Sequence, residues 1–160
     1  MSVERLLAES GLTLPPAAQA PPGLELPFVW VRVHGNRAYA SGHGALGPDG
    51  TPAGPYGRVP SQVTLEEAQE SARLATLSLL GDLRRALGDL GRITAWLSIS
   101  GFVNADPGFP GTTRVLNPCS DLVLSLFGPE AGAHARTAIG VNALPLDLPV
   151  IIAAEVEIAG

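Results

Sequence analysis

The side chain best suited to chemistry in this chain is Arg136. It stands in the run His134-Ala135-Arg136-Thr137-Ala138-Ile139-Gly140-Val141, ahead of Leu144-Pro145 and the apolar Val150-Ile151-Ile152. This region is otherwise almost free of charge and reads as strand. A guanidinium on the apolar edge of a sheet is costly to bury unless an anion meets it. Its planar fork matches a carboxylate and fixes the plane of the molecule that carries it. Arg136 is therefore the first candidate for holding a small carboxylate. The alternatives are a rim arginine or an ion pair between subunits.

The remaining residue types narrow the chemistry. All 10 basic residues are arginine. Without lysine there is no Schiff base, no pyridoxal-phosphate anchor and no phosphate-loop lysine. Three histidines, His34, His43 and His134, show no ligand spacing, so no metal is expected. Cys119 falls on an apolar helical stripe and reads as packing rather than as a nucleophile. A lone cysteine cannot form an internal disulfide, which makes a reducing cytoplasm the expected location. Asn117 and Ser120 read as helix-capping residues, and Asp121 as a first-turn acid. No nucleophile-elbow motif supports a serine triad.

Net charge is -5, with no basic stripe beyond Arg84-Arg85, which argues against a nucleic-acid partner. No apolar run reaches the ~18 residues of a membrane helix. The first ten residues carry acids and no signal-peptide core. At 160 residues, 46% of them apolar, one domain with some buried subunit surface is expected.

The elements that must position Arg136 follow from periodicity. Residues 3–9 read as a short amphipathic helix, and residues 13–27, with five prolines, as an extended arm. Phe28 to His34 alternates as a strand, Gly35-Asn36 turns, and Arg37 to Ser41 returns. Residues 42–60 are a loop rich in glycine and proline. Thr64-Leu65-Glu66-Glu67 is a capping box. It opens a helix with Leu65, Ala68, Ala72, Ala75, Leu79 and Leu83 on one stripe, ending near Gly88. Arg92 to Val103 alternates as a long strand, with Trp96 and Phe102 sharing a polar-aromatic face that is either covered by a neighbouring chain or packed in the ordinary core. Asn117-Pro118 reads as the start of a second helix, ending at Gly128-Pro129. Strands over 135–142 and 149–158 complete an α+β order.

These residues line up with a known family. Pro27-Phe28-Val29, Gly35-Asn36, Ala40-Ser41-Gly42, Gly47-Pro48-Asp49-Gly50, Gly101-Phe102-Val103-Asn104, Ala135-Arg136-Thr137 and Leu144-Pro145 occur in its order and spacing. Over residues 27–158 the chain resembles the RidA/YjgF family of reactive-intermediate deaminases, in a longer bacterial branch. The resemblance implies an N-terminal helix and arm over 1–26 and a family domain over 27–160. It implies a chorismate-mutase-like fold, a mixed sheet with two helices on one face. It also implies a homotrimer with clefts between subunits, no cofactor, and a small carboxylate-bearing metabolite as partner.

In that family the arginine matching Arg136 clamps the carboxylate of a 2-imino acid, assisted by backbone near Ser41 and Gly42. Water attacks the C=N carbon and ammonia leaves. The chain departs from the pattern at four positions of the implied site. Phe28 stands for a tyrosine, Ala138 for a cysteine, His43 for a glutamine and, in a gap-free match, Ile151 for the glutamate that positions water; a local gap would shift that match toward Glu155 or Glu157. Two functions therefore compete, an imine deaminase and a non-catalytic trimeric binder or sensor of small carboxylates; a third, the ribonuclease or translation-inhibitor role attributed to relatives, is disfavoured by the acidic charge.

Overall fold

The computed structural model describes residues 1–20 and 22–160. Pro21, one of the arm's five prolines, lies outside them. Ten elements follow in order. They are α1 (Val3–Ser10), β1 (Val31–His34), β2 (Arg37–His43), α2 (Leu65–Leu87), a 3-10 turn (Leu90–Arg92), β3 (Ile93–Asn104), α3 (Thr112–Ala131), β4 (Ala135–Val141), a second 3-10 turn (Pro145–Asp147) and β5 (Val150–Ile158). The five strands form one mixed sheet in the order β1-β2-β5-β3-β4. Only β3 and β4 run parallel, joined through α3; the other neighbours are antiparallel. This is the expected α+β architecture.

Both long helices cover one face of the sheet. The predicted α2 stripe buries Ala68, Ala72, Ala75, Leu79 and Leu83, which meet Ile99, Val103, Ile152 and Val156 in one core. Thr64 Oγ1 accepts from Glu67 N at 3.1 Å, closing the capping turn. Gly88 ends the helix with φ 82°, a conformation that side chains disfavour. The arm supplies α2 with a second cover. Pro15 O accepts from Arg85 at 3.2 Å, and a Cβ on Gly81 would come 3.1 Å from that carbonyl. The arm therefore lies along its own chain's helix.

Three sequence readings need correction. First, β1 begins at Val31, not Phe28. Ser41 Oγ donates to Val29 O at 2.7 Å, so a side chain replaces the ladder there, and the β2–β5 register shifts between Ala40 and His43. Second, Trp96 does not face outward. Register shifts between Ile93 and Ala95 and between Trp96 and Ser98 break the alternation of β3. They turn Trp96 into the core, where its ring meets Phe127 edge-on at 5.3 Å. Phe102, beyond the shifts, stays on the open face, paired with Ile151 on one side and Ile139 on the other.

Third, α3 begins at Thr112, five residues before Asn117. Pro118 lies inside the helix rather than at its first turn. Lacking an N–H, it leaves Arg114 O without its helical partner. Gln69 Nε2, from α2, donates to that oxygen at 2.9 Å. The regular helix does end at Gly128, whose φ 82° and ψ 173° break it.

Candidate functional site

Arg136 sits on β4, an edge strand of the sheet, and its side chain turns toward α3. Moving the helix start to Thr112 makes Thr113, Asn117 and Ser120 one stripe at helical spacing. These three residues receive the guanidinium. One terminal nitrogen donates to Ser120 Oγ at 3.0 Å. The other donates to Asn117 Oδ1 at 3.1 Å and to Thr113 O at 3.4 Å. Asn117 and Ser120 are thus acceptors for Arg136, not caps, and Asp121 lies well past the first turn. All three acceptors are neutral. Among the described residues no carboxylate pairs with Arg136, and two of its five N–H donors remain unspent.

The network continues through Ser120. Its Oγ lies 2.9 Å from His134 Nε2, while His134 Nδ1 faces Gly132 O at 2.7 Å. A carbonyl only accepts, so Nδ1 carries the hydrogen. In the neutral ring Nε2 then accepts from the Ser120 hydroxyl. The chain of donation runs Arg136 to Ser120 to His134 to Gly132 O. Cys119 lies beneath, between the helices. Burial pushes its thiol up to about 11, against a hydrogen bond from Thr76 and the charge of Arg136. It is no thiolate nucleophile.

The other predicted site residues, Ala138 apart, lie elsewhere in the chain. His43, read as a loop residue, ends β2 and is buried. Nε2 donates to Asp82 Oδ2 at 2.8 Å and Nδ1 donates to Ser41 O, so both ring nitrogens are donors. Asp82 also accepts two bonds from Arg85, at 2.7 and 3.0 Å. Burial pushes the Asp82 carboxyl up, but the hydrogen bonds and charges of His43 and Arg85 outweigh it and hold it below its ordinary value. Asp82 was not singled out in the sequence. Its signal is one acid between Leu79 and Leu83 on a stripe that should be apolar.

Phe28 is 49% exposed and meets Trp30 edge-on, and Trp30 in turn packs on the His43 ring. Gly42 lies on the open face, where a Cβ would come within 2.8 Å of Ile151. Ala138 is half-buried on the helix side beside Arg136, and Thr112 Oγ1 donates to its carbonyl at 3.0 Å. Within one chain, then, Ala138 neighbours Arg136 whereas Phe28, Ser41, Gly42, His43 and Ile151 do not. Strands β5 and β3 separate β2 from β4, a span of about 14 Å at ~4.8 Å per strand. Glu155 and Glu157, the carboxylates nearest Ile151 along β5, are also engaged elsewhere. Glu155 accepts from Arg37 at 2.6 Å and Glu157 from Thr94 at 3.0 Å.

Among the described residues no group of three or more His, Cys, Asp and Glu side chains gathers as a metal site. No helix there is long and apolar enough to cross a membrane.

Known proteins share this arrangement of elements. The chain is 32% identical to Atu1372 of Agrobacterium tumefaciens, a protein "with unknown function", with a TM-score of 0.84 over 98% of this chain and 91% of that one. It is 26% identical to a "putative endoribonuclease" of Shewanella oneidensis, with a TM-score of 0.87 over 99% and 100% of the two chains. Protein TCP17 of Trypanosoma cruzi is 40% identical over 102 residues. That match spans 64% of each chain, just under two thirds of the relative's length. Residues 4–156 match the family described as "YjgF/chorismate_mutase-like, putative endoribonuclease". With its five-stranded mixed sheet, its two long helices on one face and this match over nearly its whole length, the chain belongs to the YjgF/RidA family.

Proposed function

We propose that this protein hydrolyses small reactive 2-imino acids to 2-keto acids and ammonia, with Arg136 holding the substrate carboxylate. One observation carries the reading. Arg136 is a half-buried cation fixed by three neutral oxygens, with no counter-ion and with donors to spare. A carboxylate is the group that completes it. Holding a labile imine in one plane leaves water little work to do.

The site needs a second copy of the chain to be complete. Phe28, Ser41 and Gly42 lie strands away from Arg136 within one chain, and a homotrimer would bring one copy's β2 to another's β4. The open sheet face supports this, since Phe102, Ile139 and Ile151 form an apolar patch there, with Ile139 45% exposed. Phe28 and Ile151, in place of tyrosine and glutamate, favour a second reading, a trimer that binds small carboxylates without turning them over. The acidic composition gives a ribonuclease role no support.

The test is to generate 2-aminoacrylate from serine with a dehydratase and follow its lifetime. Faster decay in the presence of the protein supports the deaminase. Keto-acid binding without faster decay supports the binder.

A further inference from the structure

We propose that Ser120 and His134 form the proton-accepting pair for the attacking water, in the role that Ile151 vacates. This rests on the deaminase reading of Arg136. The observation behind it is a juxtaposition. His134 is the titratable side chain that hydrogen bonds connect to Arg136, through Ser120 Oγ at 3.0 Å from the guanidinium and 2.9 Å from the imidazole. The third partner, Gly132 O, fixes the ring and its tautomer at 2.7 Å. Nucleophile-activating bases are oriented in this way, with a hydroxyl on one nitrogen and an acceptor on the other.

The alternatives near Arg136 are spent. The Cys119 thiol is buried and protonated, and Asn117 has no basic lone pair. Glu155 and Glu157 are tied to Arg37 and Thr94.

The proton accounting closes. Ser120 Oγ has two lone pairs and one hydrogen. Arg136 takes one lone pair and His134 Nε2 accepts the hydrogen, which leaves the second lone pair for the water. As the water oxygen bonds to C2 of the imine, its proton passes to Ser120 Oγ and the Ser120 proton passes to His134 Nε2. The C=N π pair moves to nitrogen. The proton held by His134 then returns through Ser120 to the nitrogen, giving the neutral carbinolamine. The hydroxyl proton follows by the same relay to the nitrogen as the C–N bond breaks, so that ammonia leaves and the C–O bond becomes the keto group. One water is consumed and no other reactant is needed. Ser120 is the group that touches water; His134 acts through it.

The test compares wild type, Ser120→Ala, Ser120→Thr, His134→Ala and His134→Asn on 2-iminobutanoate generated in place by threonine dehydratase. Retention of the wild-type circular dichroism spectrum qualifies each variant. His134→Asn is included because its amide can still donate to Gly132 O. The expected result is a fall in kcat of about 100-fold for Ser120→Ala, His134→Ala and His134→Asn. Affinity for 2-oxobutanoate should stay within threefold in the His134 variants, Ser120→Thr should keep most of the rate, and added imidazole should restore His134→Ala. A wild-type rate in the His134 variants, or a loss of rate that only follows lost 2-oxobutanoate affinity, overturns the relay while the deaminase reading stands. No acceleration by wild type overturns both.

Discussion

His43 and Asp82, 39 residues apart, meet at 2.8 Å with both side chains almost wholly buried. Their bond joins the end of β2 to the middle of α2, and Arg85 extends it to the arm through Pro15 O. Removing Asp82 strands His43 Nε2 without a partner and without solvent. Asp82→Ala should therefore destabilise the fold by about 3 kcal/mol in urea unfolding.

The same pair gives a pH dependence of known sign. The Asp82 carboxyl sits below its ordinary value in the folded protein. The unfolded chain thus takes up its proton first as pH falls. The contribution of Asp82 is complete above the usual carboxylate range and is lost as pH drops through the folded value. Urea midpoints measured from pH 7 down to pH 3 should fall more steeply for wild type than for Asp82→Asn.

Trp96 and Phe102 should separate core from interface. Trp96→Ala should cost about 3–5 kcal/mol, as expected for a buried aromatic. Trp96→Phe should cost under about 1.5 kcal/mol, because the indole N–H has no hydrogen-bond partner to lose. Neither change should alter the oligomer. Phe102→Asp, on the open face, should dissociate the proposed trimer in sedimentation velocity while leaving helix content intact.

Gly42 and Ile151 should behave as a coupled pair. A Cβ at Gly42 meets Ile151 Cγ2 at 2.8 Å, too close without a shift. Gly42→Ala should destabilise by about 1–2 kcal/mol. Combining it with Ile151→Ala should recover part of that loss, a non-additivity that a double-mutant cycle reads directly.

The outline of the fold was legible because most elements obey one local rule. The capping residue Thr64 and the terminator Gly88 bound α2, and its apolar stripe is buried as its spacing requires. Gly35 turns the β1–β2 hairpin with φ 60°, as a two-residue loop demands. What failed was non-local. Nothing in β3 announces the two register shifts that send Trp96 inward. The dipeptide Asn117-Pro118 imitates a helix start, while the true start at Thr112 carries no side-chain cap.

That single misplacement also hid the site. With the helix begun at Asn117, Thr113 falls outside it and Asn117 and Ser120 look like caps. With the helix begun at Thr112, the three become a row of oxygens facing Arg136. Arg136 stands out in the sequence by its isolation; its hydrogen-bond partners do not.

The most direct measurement is a calorimetric titration of 2-oxobutanoate into wild type, Arg136→Lys and Arg136→Ala. Wild type should bind, Arg136→Lys more weakly, and Arg136→Ala at least tenfold more weakly still, in keeping with about 1.5–3 kcal/mol for hydrogen bonds to a charged group. The oligomer should be unchanged in all three. Equal binding by Arg136→Ala, or dissociation of that variant, would contradict the account and make Arg136 a structural residue.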